Sequence, residues 1–132
     1  MSRSPLTLAF LATVLISIAP AMAEGPQVGV TVGDTDHDAC SAFGVVDGLN
    51  PNGDNFLSVR SGPATRYAEL DRLGPNQGVY ICEWRGKWLG VVYDKSGEKD
   101  FGVARYIKEK KIYTGPCERG WVFGKYVRQV SG

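Results

Sequence analysis

Residues 79–93 read VYICEWRGKWLGVVY, and this stretch decides the fold. Two runs rich in β-branched and aromatic residues, 79–84 and 88–93, flank the short polar segment Arg85-Gly86-Lys87. Runs of this composition on either side of a glycine-containing turn are typical of a β-hairpin. The sequence therefore predicts two antiparallel strands joined by a turn at Gly86, where a positive φ angle is expected.

Two registers of this hairpin are compared. A two-residue loop would pair Ile81 with Gly90, and its apolar face would hold Tyr80, Cys82, Leu89 and Val91. A three-residue loop would pair Ile81 with Val91 and Glu83 with Leu89. We expect the second register, because a slip by one residue turns every side chain to the other face and only this choice gives a continuous apolar face. That face comprises Val79, Ile81, Leu89, Val91 and Tyr93, and the opposite face carries Tyr80, Cys82, Trp84, Trp88 and Val92, with the two tryptophans facing each other.

The rest of the chain also favours β structure. Leu57 and Val59 alternate with Ser58 and Arg60, which is the pattern of a half-buried strand. Residues 120–127 are predicted to form a final strand with a turn inside it. The 132 residues include 17 Gly and 7 Pro, which favours many turns. We therefore predict one small all-β domain.

The first 23 residues have the three-part pattern of a secretory signal peptide. Arg3 supplies a positive charge, residues 6–18 are mostly apolar, and Ala21-Met22-Ala23 offers small residues at the cleavage positions. The apolar run is too short to cross a bilayer, which takes roughly 20 residues. Cleavage would leave 109 of the 132 residues. We therefore expect a periplasmic or secreted protein that has no membrane attachment after cleavage.

Charge is unevenly distributed along the chain that cleavage would leave. Residues 24–47 carry five acidic and no basic side chains, whereas residues 48–132 carry 14 basic and 9 acidic ones. The overall balance argues against a nucleic-acid partner, which would require a basic surface. Residues 24–42 are predicted to be an acidic, extended leader that is solvated. A leader that folds over the basic domain or binds a metal ion is the alternative.

Three cysteines, Cys40, Cys82 and Cys117, survive cleavage. Export to an oxidising compartment favours a disulfide, and an odd number leaves one thiol over. We favour Cys82–Cys117, because that bond would close a loop around the irregular residues 94–116. The Cys40–Cys117 and Cys40–Cys82 pairings remain open. In the favoured arrangement Cys40 is the candidate for a dimer through an intermolecular bond.

Catalytic and metal sites have weak support in the sequence. His37 is the only histidine, and no nucleophile motif accompanies it. The Asp34-x-Asp36-x-Asp38 run imitates a calcium loop, but Ala39 stands where glycine is required and Val45 where glutamate is required. We expect no catalytic residue, no metal and no cofactor. A small hydrolase, the least favoured alternative, would have to use His37.

Three motifs together resemble a known family. Residues 57–67, LSVRSGPATRY, are similar to the signature that opens bacterial SH3 (SH3b) domains. Trp88-Leu89-Gly90-Val91 resembles the central tryptophan strand of that family, and Gly120-Trp121-Val122 with Lys125-Tyr126-Val127 resembles its ending. The resemblance covers residues 43–130, with residues 94–116 as an insertion before the last strands.

This resemblance implies a fold and a type of function. The fold would be a small SH3-like antiparallel barrel of about five strands. The function would be binding in a shallow groove, with Trp88 and Tyr126 as aromatic walls and Tyr67 and Arg66 beside them. The implied ligand is a peptide or another cell-wall component, above all a peptidoglycan stem peptide. The alternative is a protein–protein interaction module or a subunit of an exported complex, in which the insertion contacts another exported protein.

Overall fold

The computed structural model describes residues 2–5, 7, 9–16, 27–33 and 38–132. Strands dominate the folded part, so the predicted all-β class is confirmed. In chain order the elements are β1 (Thr31–Val32), β2 (Ala42–Val46), β3 (Leu57–Arg60), β4 (Glu69–Leu73), β5 (Gly78–Arg85), β6 (Trp88–Tyr93), β7 (Lys111–Ile112), β8 (Glu118–Phe123), a 3₁₀ helix (Gly124–Tyr126) and β9 (Val127–Ser131).

Seven strands form one sheet in the order β4-β3-β8-β6-β5-β2-β9, and β1 pairs with β7 in a separate two-stranded sheet. All pairs are antiparallel, as predicted. In the part of the chain that the structure describes, the outermost strands β4 and β9 are not hydrogen-bonded to each other, so the main sheet is open. Seven strands also exceed the number of about five that the resemblance implies.

The turn of the β5–β6 hairpin differs from the prediction. It contains two residues, 86–87, rather than three, although Gly86 does adopt a positive φ of 56°. Trp84 consequently pairs with Leu89. Residues that pair directly point to the same face of a sheet, so the predicted facing of Trp84 and Trp88 is wrong.

A β-bulge at Cys82 reconciles this turn with the rest of the hairpin. Ile81 pairs with Val91, as predicted, but Glu83 pairs with Gly90, so the predicted Glu83–Leu89 pair is wrong. Cys82 is therefore the one extra residue in β5, and the facing of its neighbours changes on passing it. Before Cys82, the residues of β5 face as predicted. From Glu83 to Arg85 they face the opposite way.

The predicted apolar face of the hairpin lies in a first core. Its five members are joined there by buried side chains from β2, β3, the end of β4 and β8. The additional buried residues are Ala42, Val46, Leu57, Val59, Leu73 and Val122. The hairpin thus forms one wall of this core, as the alternation of its residues predicts.

The leader and the insertion pack together on the other face of the hairpin. Thr31 of β1 pairs with Ile112 of β7, and Asp38 forms an isolated bridge with Tyr106. Their buried side chains form a second core with Val92 of β6; the other buried members are Val32, Ala39, Cys40, Val103, Tyr113 and Cys117. The described part of the leader is therefore a layer that folds over the domain and not the solvated tail that we expected.

The disulfide joins Cys40 to Cys82, so the favoured Cys82–Cys117 pairing is wrong. Cys117 is a free, buried thiol in the second core. Cys40 is bonded within the chain, which removes the thiol on which the proposed dimer depends. The covalent bond ties the leader to the bulge of β5, because a leader packed beside the hairpin brings Cys40 close to Cys82.

Trp121 also connects the leader to the main sheet. It is fully buried, and its Nε1 donates a hydrogen bond of 2.8 Å to the carbonyl oxygen of Val28. The backbone N–H of Val28 in turn donates to the carbonyl of Ser61 at 2.7 Å. Trp121 is therefore a packing residue beneath the leader.

The described residues of the predicted signal peptide are exposed and lack regular secondary structure. The predicted cleavage site at Ala21-Met22-Ala23 lies outside the described residues. Among those that the structure does describe, no helix has the length and apolar composition needed to cross a membrane.

Asp94 organises the start of the insertion. Its carboxylate accepts hydrogen bonds from the backbone N–H of Lys99 at 2.6 Å, the backbone N–H of Ser96 at 3.1 Å and the Ser96 hydroxyl at 2.8 Å. These bonds, above all the one from Lys99, favour the ionised carboxylate and lower the pKa of Asp94 to about 2. The ionised side chain thereby fixes the turn that follows β6.

Replacing Cys40 with alanine should lower the free energy of unfolding by about 4 kcal/mol, because a bond over a separation of 42 residues restrains the unfolded chain. The measurement is urea unfolding under non-reducing conditions. The control Cys117→Ala keeps the bond and should cost only about 1 kcal/mol. Peptide mapping without reduction that links Cys82 to Cys117 would contradict this arrangement.

Replacing Asp94 with asparagine should flatten the dependence of stability on pH. Since the pKa of Asp94 is lowered from 3.8 to about 2, its stabilising contribution is complete above about pH 4 and is lost as the pH falls through about 2. Unfolding free energies of both proteins between pH 7 and pH 2 give the difference profile. If the unfolding free energies of the two proteins change equally between pH 7 and pH 2, the ionised Asp94 does not stabilise the folded state.

Candidate functional site

An open groove lies where β3, β6 and the end of β8 meet. Its volume is about 860 Å³. The loop between β2 and β3 and the 3₁₀ helix complete its rim. The lining residues are Gly48, Leu49, Asn50, Asp54, Phe56, Leu57, Ser58, Arg60, Ala64, Thr65, Glu69, Trp88, Phe123, Lys125 and Tyr126.

Three aromatic side chains form one wall of this groove. Trp88 of β6 pairs with Phe123 of β8, and their rings meet edge to face with centroids 5.6 Å apart. Phe123 also packs against Tyr126 of the 3₁₀ helix at 6.2 Å. All three are only partly buried. They therefore present a continuous aromatic surface to solvent.

The sharp turn after β8 holds Tyr126 against this wall. The backbone N–H of Gly124 donates a hydrogen bond of 2.8 Å to the carbonyl of Lys87 in the hairpin turn. A Cβ atom at position 124 would lie 3.1 Å from that same carbonyl oxygen. Glycine at this position thus allows the 3₁₀ helix to approach the hairpin closely.

Polar groups from β3 and β4 lie opposite the aromatic wall. Arg60 is half-buried, and its Nη1 donates a hydrogen bond of 3.0 Å to the carbonyl of Tyr67. Hydrogen bonds from the Ser58 hydroxyl (2.5 Å) and Arg72 Nε (2.7 Å) hold the pKa of Glu69 below its usual value. Glu69 is thus held as an anion that already has partners. The groove combines stacking surfaces with a few fixed polar groups, which suits binding of an extended ligand.

Two of the four predicted groove residues line the groove together. Trp88 and Tyr126 belong to the aromatic wall. Tyr67 and Arg66 are outside the lining: the Tyr67 ring packs on Gly62, and the Arg66 guanidinium lies 5.0 Å from the centre of that ring. Neither side chain therefore contributes to the surface of the groove.

Phe123 and Lys125 also line the groove, and neither was predicted from the sequence. Phe123 lies directly opposite Trp88 in the β6–β8 pair, and that pairing joins strands 35 residues apart in the chain. The sequence feature closest to Phe123 is the motif of residues 120–127. Phe123 lies between the two parts of that motif that resemble the family, residues 120–122 and 125–127. Of the residues considered for catalysis or metal binding, Asp34, Asp36 and His37 lie outside the described residues.

The three motifs of the bacterial SH3 resemblance surround this groove, since they fall on β3, β6 and the segment from β8 to β9. The chain matches no family model, and no curated protein or solved structure is significantly similar to it. The resemblance to bacterial SH3 domains therefore depends on these motifs alone.

Replacing Gly62 with alanine should destabilise the fold by about 2 kcal/mol, since overpacking forces neighbouring groups to shift. A Cβ atom there would lie 2.5 Å from the ring of Tyr67. The matched control is Gly74→Ala, where no heavy atom lies within 4 Å, and its stability should stay the same or rise slightly. Equal unfolding free energies for the two variants would contradict the structural role of Tyr67.

Proposed function

We propose that the chain is an exported, non-catalytic binding module with an SH3-like barrel, and that it holds an extended peptide in the aromatic groove. The observation that carries the proposal is the wall of Trp88, Phe123 and Tyr126, with centroid separations of 5.6 and 6.2 Å. Partly exposed aromatic rings bind peptides or sugars through stacking and apolar contact, and they lose little conformational entropy in doing so.

Peptidoglycan stem peptides are the ligand that we favour. The resemblance to bacterial SH3 domains supports this class, because some members of that family bind such peptides. The fixed polar groups opposite the wall, Arg60 and Glu69, supply one cationic and one anionic partner for a peptide backbone with charged groups. The proposal involves no nucleic acid, cofactor or metal.

Export to the periplasm or the cell exterior is part of the same proposal. The Cys40–Cys82 disulfide is compatible with an oxidising compartment, where such bonds form and persist. The signal-peptide pattern of residues 1–23 supports the same location. A ligand in the cell wall would be accessible from there.

A second candidate is a protein partner that contacts the layer formed by the leader and the insertion. Tyr106 and Ile112 of this layer are 53% and 51% exposed. Exposed aromatic and aliphatic side chains on one layer are features of protein interfaces. This candidate predicts that the aromatic groove is not required for binding.

The test is co-sedimentation of the purified chain with cell-wall sacculi. Wild-type protein should pellet, and Trp88→Ala should bind at least about tenfold more weakly, because a partly buried aromatic contact is removed. Arg66→Ala, an exposed residue outside the groove, is the matched control and should pellet as the wild type does. Unfolding curves of both variants establish that they are folded, and Tyr126→Ala replaces Trp88→Ala if that variant is not.

Three results would contradict the proposal. Failure of the wild-type protein to pellet would exclude the wall ligand and favour the second candidate. Equal pelleting of wild type, Trp88→Ala and Tyr126→Ala would exclude the groove as the binding site. Release of soluble wall fragments into the supernatant would show that the protein is a hydrolase, and His37→Ala would then be examined for loss of that release.

A further inference from the structure

A recess separate from the aromatic groove contains Trp84, which the bulge at Cys82 directs into it. Because Trp84 pairs with Leu89, its side chain points to the same face as the first core. Trp84 lies near the turn, beyond the part of the hairpin that the core covers, and it is 50% exposed. A bulge that redirects a side chain in this way is a common device beside binding sites.

The recess beside Trp84 has a volume of about 490 Å³. Its floor is apolar, since the buried core residues Ile81 and Leu89 reach it from inside. Its rim includes the hairpin turn and the first part of β9. The lining residues are Ile81, Trp84, Gly86, Lys87, Leu89, Phe123, Gly124, Lys125, Val127 and Gln129.

The charged side chains that line this recess are all positive. Lys87 and Lys125 belong to its lining, and none of the lining residues is acidic. Within residues 38–132, neither lysine has a carboxylate oxygen within 4.0 Å. The acidic residue of the hairpin, Glu83, is paired with Arg85 at 2.8 Å and accepts a hydrogen bond from the backbone of Thr31 in the leader. An anionic group in the recess would therefore meet two cations, with no carboxylate among the lining residues.

The recess adjoins the aromatic groove. Phe123 and Lys125 line both cavities, so they form the ridge between them. A peptide that stacks on Trp88 and Phe123 can continue over this ridge past Lys125. The next surface that it meets is the apolar floor at Trp84.

We propose that this recess is a second subsite for the ligand of the groove, and that it takes an apolar side chain next to a carboxylate. Trp84, Ile81 and Leu89 receive the apolar side chain, and Lys87 with Lys125 receives the carboxylate. The inference rests on the proposed function, since it extends the same ligand. It also defines that ligand more narrowly, as an extended peptide with an acidic residue beside an aliphatic one.

The test uses the three tryptophan indole N–H signals in a nitrogen-15-labelled sample of the full chain. Trp84 reports on the recess, Trp88 on the groove, and the buried Trp121 is an internal reference because its Nε1 is bonded to Val28. The probes are the capped dipeptides N-acetyl-Leu-Glu-amide and N-acetyl-Leu-Gln-amide, which differ only in the charge of one side chain. Both are titrated into wild type, Lys87→Gln and the control Lys108→Gln.

The acidic dipeptide should shift the Trp84 signal and leave that of Trp121 unchanged. The dissociation constant for the neutral dipeptide should be about fivefold higher, since exposed ion pairs are weak individually. Lys87→Gln leaves only Lys125 to receive the carboxylate and should reduce this difference to about twofold. Lys108→Gln, which replaces an exposed lysine outside the recess, should retain the full difference.

Two results would overturn the inference: no shift of Trp84 by the acidic dipeptide, or equal dissociation constants for the two dipeptides in the wild type. Neither depends on binding to the cell wall. A chain that shows the expected Trp84 response but fails to pellet with sacculi would contradict the proposed wall ligand and retain the subsite.

Discussion

The β5–β6 hairpin buries both of its faces, and the rest of the structure depends on this constraint. One face closes the first core with β2, β3 and β8, and the other carries the second core formed by the leader and the insertion. A hairpin buried on one side only would leave Val92 and the aromatic ring of Tyr80 exposed to water. The leader and the insertion therefore complete the fold and are not accessories to it.

The bulge at Cys82 links this constraint to the candidate site. On one side of the bulge Ile81 belongs to the first core, and on the other Trp84 turns to the open end of the same core. The bulged residue itself carries the disulfide to the leader. A single extra residue in β5 thus determines on which face Trp84 lies. It also determines where the second layer is attached.

The alternation of residues 79–93 predicted the buried face of the hairpin, and the resemblance indicated Trp88 and Tyr126. The bulge could not be predicted in the same way, because strict alternation assumes one facing throughout and β5 changes its facing at Cys82. The disulfide and Phe123 depend on which distant segments become neighbours, which short-range patterns do not contain. Tyr67 and Arg66 were expected beside the groove, whereas the Tyr67 ring packs on Gly62 and the Arg66 guanidinium lies over that ring.

The position of the disulfide also has a mechanical consequence. Tension on the chain before residue 27 would first act on the short β1–β7 pair and on the hydrogen bonds of Val28. Separation of these contacts would stop at Cys40, because the covalent bond passes the force to β5 in the middle of the main sheet. There β5 is paired on both sides, with β2 and β6, so the pull is shared by two ladders of hydrogen bonds. A pull on the leader would therefore leave intact the part of the domain that carries the groove.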